Sequence, residues 1–167
     1  MKVLKLVLSV ATGCLLVGAS SVVMAVGCPD GHIMFQTVPE IVIDGKSCVI
    51  NSVIVEGRIQ INNSTILSMT LVEAGGPVKI TNGGADGNAN LVRVEVLQGN
   101  IEVSGYQGTD GAVVVSSRIE FGSLHIRNNS SAVVQRNRIK GNINCENNTK
   151  QVVGGNQATG TDNCTGI

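Results

Sequence analysis

The chain has 167 residues, with twelve basic and twelve acidic side chains and no net charge when its two histidines are neutral. That balance excludes the basic footprint of a nucleic-acid or anionic-membrane binder. With no Trp, two Phe and one Tyr, it also argues against a sugar site built on aromatic platforms.

At the N-terminus, Lys2 and Lys5 precede an apolar run from Leu6 to Leu16 and a stretch of smaller residues up to Ala25. Val23-Met24-Ala25 places small residues three and one positions before a cut after Ala25, the layout of a secretory signal peptide. The competing reading is an uncleaved anchor. Residues 6–25 are long enough to span a bilayer, but Ser9, Thr12, Ser20 and Ser21 dilute them. Cys14 lacks the leucine three positions earlier that a lipidation site carries, so it is filler of the leader. Cleavage removes two basic residues and no acidic ones, leaving ten against twelve, a mature net charge of −2. The expected location is the periplasm or the exterior, with no membrane span after cleavage.

Four cysteines remain, Cys28, Cys48, Cys145 and Cys164. An even count in a small exported domain implies two disulfides, with three possible connectivities. No C-x-x-C spacing is present, so no structural metal is expected. Residues 26–48 are set apart as an N-terminal cap segment, in which His32 is a surface residue, and the repeat domain is taken as 49–167.

The repeat begins at Gly57-Arg-Ile59-Gln-Ile61-Asn-Asn63 and returns at Gly76, Gly99, Gly122 and Gly141, in steps of 19, 23, 23 and 19 residues. A degenerate sixth copy matches Val152, Val153, Asn156, Gly160 and Cys164 to Val133, Val134, Asn137, Gly141 and Cys145. Apolar and polar residues alternate within each copy, as in half-buried strands. The inward columns are Ile59, Val78, Ile101, Leu124, Ile143 and Ile61, Ile80, Val103, Ile126, Cys145. A second strand precedes each glycine, with Ile54, Val72, Val96, Ile119 and Ile139 in near-equivalent places. One such coil cannot bury its apolar face alone, so neighbours must stack. The closing column Asn63, Asn82, Gly105, Asn128, Asn147 consists of residues that tolerate left-handed backbone, and predicts a corner in every coil. Asn side chains stacked there can bond to one another. Helical repeats are disfavoured because β-branched residues dominate without a 3.6-residue stripe. The predicted fold is all-β: a right-handed parallel β-helix, or solenoid, of about six coils of 19–23 residues.

Cys145 and Cys164 lie one coil apart at the same inward position. Stacked strands are about 4.8 Å apart, within the roughly 4.4–6.8 Å that a disulfide needs between Cα atoms. The register therefore predicts Cys145–Cys164, which pins a Gly-rich last coil, and by exclusion Cys28–Cys48. Each loop is worth roughly 3 kcal/mol on chain-entropy grounds.

The stacked coils, the Asn corners and the Gly-Asn-x-x-Cys ending resemble the small exported right-handed β-helix proteins of bacteria, which share the pectate-lyase-like superfold. The resemblance covers roughly residues 49–164 and is one of fold. The enzymes of that superfold are usually much longer, and no lyase, pectinesterase or polygalacturonase signature is present.

Two surface features carry candidate chemistry. The outward ladder Gln60, Lys79, Glu102, His125, Asn144 places a base, an acid and an imidazole on neighbouring coils. Lys79, Glu102 and His125 could then shuttle a proton on a sugar ring. The structural alternative is a solvated ladder in which Glu102 pairs with its neighbours, with Arg58 and Arg127 flanking. The two longer coils add Gly-rich loops containing Asp86, Asn88 and Asn90, and Tyr106 and Asp110. These loops are the expected binding loops, and Asp86 and Asp110 could share a calcium ion with Asn88 or Asn90. The simpler account is turn chemistry, and no metal or cofactor is assigned. The expected function is that of a non-enzymatic exported solenoid, a structural or interaction module whose partner is a protein or polysaccharide at the cell envelope. The alternative is a minimal carbohydrate-active enzyme of polysaccharide lyase or epimerase type.

Overall fold

The computed structural model describes residues 25–28 and 30–164. The leader through Met24, with Cys14, lies outside them. The described residues form seventeen strands and no helix. The first coil holds β1 (His32–Met34), β2 (Thr37–Val38) and β3 (Ile41–Asp44). The next three coils each fuse their first two strands into one: β4 (Cys48–Val55) with β5 (Ile59–Asn62), β6 (Ile66–Ala74) with β7 (Val78–Gly84), and β8 (Asn88–Val96) with β9 (Ile101–Tyr106). The fifth coil holds β10 (Ala112–Val115), β11 (Arg118–Ile119) and β12 (Leu124–Arg127). The sixth holds β13 (Ala132–Gln135), β14 (Arg138–Ile139) and β15 (Ile143–Glu146). The last holds β16 (Gln151–Gly154) and β17 (Gln157–Ala158).

All pairings are parallel and join a strand to its counterpart one coil away, in the orders β1-β4-β6-β8-β10-β13-β16 and β15-β12-β9-β7-β5-β3. The chain is thus an all-β parallel solenoid of about seven turns. The count exceeds six because β1–β3 stack as a coil of their own on β4 and β5.

The coil has three faces because the larger sheet bends once per turn. The bend falls at Ser52, Leu71, Arg93, Ser116 and Arg136, all with φ between 53° and 55°. A left-handed residue there swings the chain and shifts the alternation by one. Inward positions consequently run Ile50, Val53, Val55 in the second coil and Met69, Val72, Ala74 in the third. This corrects one predicted column. Ile54 points outward and is 48% exposed, while Val53 and Val55 are buried. Val72 pairs with Val53 and Val94, whereas Val96, Ile119 and Ile139 form a separate column.

The third face, β3 to β15, keeps strict alternation and has the predicted register: Ile59, Val78, Ile101, Leu124 and Ile143 are in line and fully buried. Its exit corner is left-handed at Asn63, Asn82, Gly105, Asn128 and Asn147, as their identities require. Its entry corner is a glycine column for a steric reason. A Cβ on Gly122 or Gly141 would lie 2.0 or 2.1 Å from the carbonyl oxygen of Gly99 or Gly122 on the preceding coil.

The interior changes character along the axis. Early coils fill the positions after the bends with Val53, Val72 and Val94; later ones use Ser117, Asn137 and Asn156. These amides form a ladder. Asn137 Nδ2 donates to Val114 O at 2.9 Å and to Asn156 Oδ1 at 3.2 Å, and Asn156 Nδ2 donates to Val134 O at 2.9 Å. A second ladder follows the exit corner, where Asn129 Nδ2 donates to Asn148 Oδ1 at 3.0 Å and Asn148 Nδ2 to Ile126 O at 2.9 Å. Buried amides are tolerated because each is bonded. The outward corner column holds the weaker, exposed Asn147–Asn128 contact at 3.3 Å.

Two disulfides bind the end coils. Cys28–Cys48 has a Cα separation of 6.1 Å, and Cys145–Cys164, 19 residues apart, has 4.8 Å. Cys145–Cys164 is the pair that the coil register predicts, and Cys28–Cys48 is the pair that exclusion left.

Candidate functional site

The predicted outward ladder lies on the third face. Gln60 pairs with Lys79, Lys79 with Glu102, Glu102 with His125, and His125 with Asn144, one residue per coil. Parallel in-register strands make this unavoidable once the inward columns are fixed, because every second side chain must face out. The carboxylate of Glu102 is bracketed by cations: Arg127 Nη2 donates to it at 2.8 Å and Lys79 Nζ lies 4.0 Å away. Arg127, expected only to flank the ladder, is the closest partner of Glu102. His125 meets Asn144, with Nδ1 and Nδ2 3.4 Å apart. Arg58 is engaged by Glu40 at 3.1 Å. A half-enclosed depression lies over the ladder, lined by Arg58, Gln60, Pro77, Lys79, Asn100 and Glu102. His125 does not line it.

The two Gly-rich loops stack side by side as their spacing implies. Gly108 donates to Gly87 O at 2.9 Å and Gln107 to Gly84 O at 3.1 Å. Asp86 and Asp110 are exposed. Asn88 ties the loops together, since its Oδ1 accepts from the backbone of Asp110 and Gly111 at 2.9 and 3.0 Å. Its oxygen is therefore committed to the loop. Among the described residues no three His, Cys, Asp or Glu side chains gather as a metal site.

Tyr106 is not a surface binding residue. It is fully buried, one position past the corner at Gly105, and its ring lies over Gly83. A Cβ on Gly83 would fall 2.1 Å from Tyr106 Cδ1, so the small residue on one coil makes room for the large one on the next. The Tyr106 hydroxyl is buried without a hydrogen-bond partner among the described residues. Burial pushes its phenol up to about 12.

Comparisons with protein-family models, with characterised proteins and with solved structures found no match. The arrangement of charges must therefore speak for the site by itself. Besides the ladder it offers a second ionic cluster, on the short middle face, that sequence reasoning missed. Glu120 accepts from Lys140 at 2.6 Å and also pairs with Arg118, which reaches Glu95 at 3.7 Å. The hydrogen bond from Lys140, with Arg118 adding to it, holds the Glu120 carboxyl below the usual carboxylate range. Its signal was present as Arg118-Ile-Glu120 followed one coil later by Arg138-Ile-Lys140. Among the described residues no helix is long and apolar enough to cross a membrane.

Proposed function

We propose that this protein is an exported, non-enzymatic solenoid that serves as a rigid structural or interaction module at the cell envelope, of the pectate-lyase-like β-helix type. The observation that carries the reading is the state of Glu102. A general base needs a free carboxylate in a cleft beside its partner acid and substrate, whereas Glu102 is bridged by Arg127 and Lys79, and the depression it lines does not include His125. Such a ladder relieves like-charge repulsion along the stack and leaves a stiff, mixed-charge surface for a protein or polysaccharide partner. Two disulfides, one near each end, are in keeping with an oxidising compartment.

The second reading, a lyase or epimerase using Lys79, Glu102 and His125, is favoured by their one-per-coil register. One experiment separates the two. The exported protein is sequenced from its N-terminus and assayed on polyuronates and other polysaccharides beside a Glu102→Ala/His125→Ala variant of native circular dichroism. An N-terminus at Val26 and no turnover by either form is expected. Turnover that the folded variant loses overturns the non-enzymatic reading, and a start at Met1 overturns export by cleavage.

A further inference from the structure

The short middle face of the coil carries a charge arrangement that its own chain leaves unbalanced. By strand register, its outward column runs Ile54, Glu73, Glu95, Arg118, Arg138 from the second coil to the sixth. Like charges in direct cross-strand register are destabilising. Yet here Glu73 stacks on Glu95 and Arg118 on Arg138. Arg118 and Glu95 meet in the middle at 3.7 Å. Glu73 and Arg138, both exposed, make no ion pair among the described residues. They stand three coils apart, about 14 Å at the strand spacing, too far to reach each other.

The four charged members of the column are antisymmetric about the point between Glu95 and Arg118. If a second identical face is laid against it with the solenoid axis reversed, the fourth coil meets the fifth and the third meets the sixth. Each Glu95 then faces an Arg118, and each Glu73 faces an Arg138. A parallel arrangement would set Glu on Glu and Arg on Arg. This face also concentrates exposed apolar surface. Phe35, Ile54, Leu71, Leu97 and Phe121, five of the eight large apolar side chains exposed among the described residues, lie on it or on its two corners.

We propose that the short middle face is a self-recognition surface on which two copies of this chain pair antiparallel about a two-fold axis, with Glu73 of each opposite Arg138 of the other. The contact is isologous, so each ion pair occurs twice. It involves a different face from the ladder and is independent of export or of any other partner.

Sedimentation velocity on the purified protein, from micromolar to millimolar concentration, tests it. A concentration-dependent dimer that weakens between roughly 0.05 and 0.5 M salt is expected, because exposed ion pairs are screened. Glu73→Arg and Arg138→Glu each put two like-charge pairs in the contact. Each should raise the dissociation constant about tenfold or more, because two attractive exposed pairs give way to two repulsive ones. Mixing the two single variants brings the introduced arginine of one chain opposite the introduced glutamate of the other and should restore the dimer as a mixed species. A protein monomeric throughout this range overturns the proposal. So does a dimer indifferent to both substitutions, or two variants that do not rescue each other.

Discussion

Tyr106 concentrates the residue-scale physics of this protein. Its ring fills the space left by Gly83, while its hydroxyl is buried without a partner. A buried polar group left unbonded costs roughly 1–3 kcal/mol. Tyr106→Phe, which keeps the ring, should therefore raise stability by about 1 kcal/mol in equilibrium denaturation at neutral pH. Burial also raises the phenol to about 12 from its ordinary 10.0. The folded state then holds this proton more tightly than the unfolded chain. The contribution is complete below pH 10 and is lost as pH rises toward about 12. The wild-type protein should lose stability over that interval relative to the Tyr106→Phe variant. Parallel curves for the two would mean that the hydroxyl reaches solvent.

At the scale of the element, the buried asparagine ladders and the outward asparagine corners have different jobs, and substitution should separate them. Asn129 accepts from Tyr106 N at 2.9 Å and donates to Asn148 Oδ1 at 3.0 Å, so Asn129→Ala strands groups on two neighbouring coils. A loss of about 2–3 kcal/mol is expected. Asn147 sits at φ 53° with its side chain exposed, and Asn147→Gly should change stability by less than about 0.5 kcal/mol. Chemical denaturation of both checks the contrast; equal effects would mean the ladder contributes nothing beyond its corner geometry. The same distinction explains what could be read in advance. The third face was legible because uninterrupted alternation between a glycine and an asparagine fixes which residues point inward. The first two faces were not, because the left-handed bend falls on Ser52, Leu71, Arg93, Ser116 and Arg136, residues that give no turn signal. The bend changes the inward spacing from two to three, which is why Ile54 looked like core. The first coil hid for a related reason: Pro39-Glu-Ile41-Val-Ile43-Asp-Gly45 carries the repeat with its end residues exchanged for Pro and Gly. Of the candidate site, the ladder was readable from register alone. The fate of Tyr106 depended on pairing it with Gly83 across a 23-residue step.

For the whole molecule, nearly every pairing joins adjacent coils, so stability is a chain of neighbour terms and damage should spread unevenly. The last coil is the weakest link, with Val152 49% exposed and Val153 only partly buried. Cys145–Cys164 holds it to the sixth coil. Replacing Cys164 by Ser should accelerate amide exchange in β16 and β17 by an order of magnitude or more, while amides of β7 and β9 keep their protection. Exchange that rises uniformly along the stack would instead identify the solenoid as one cooperative unit.

The glycine column at the entry corner has a further consequence, for how such a chain can grow. Peptide groups of successive coils touch there with no room for a side chain, so each glycine stays two positions ahead of the first inward residue of the third face, with one extra residue accommodated before it only in the fourth and fifth coils. Length variation is confined mainly to the opposite exit corner, where Asn82 to Asn88 carries most of the excess of the 23-residue step. The rod is therefore quantised. A tandem duplication of residues 122–140 would add one complete turn and lengthen it by about 4.8 Å. A half-length duplication would bring an exit-corner sequence to the glycine rail and could not close. The molecule is a ruler graduated in whole coils.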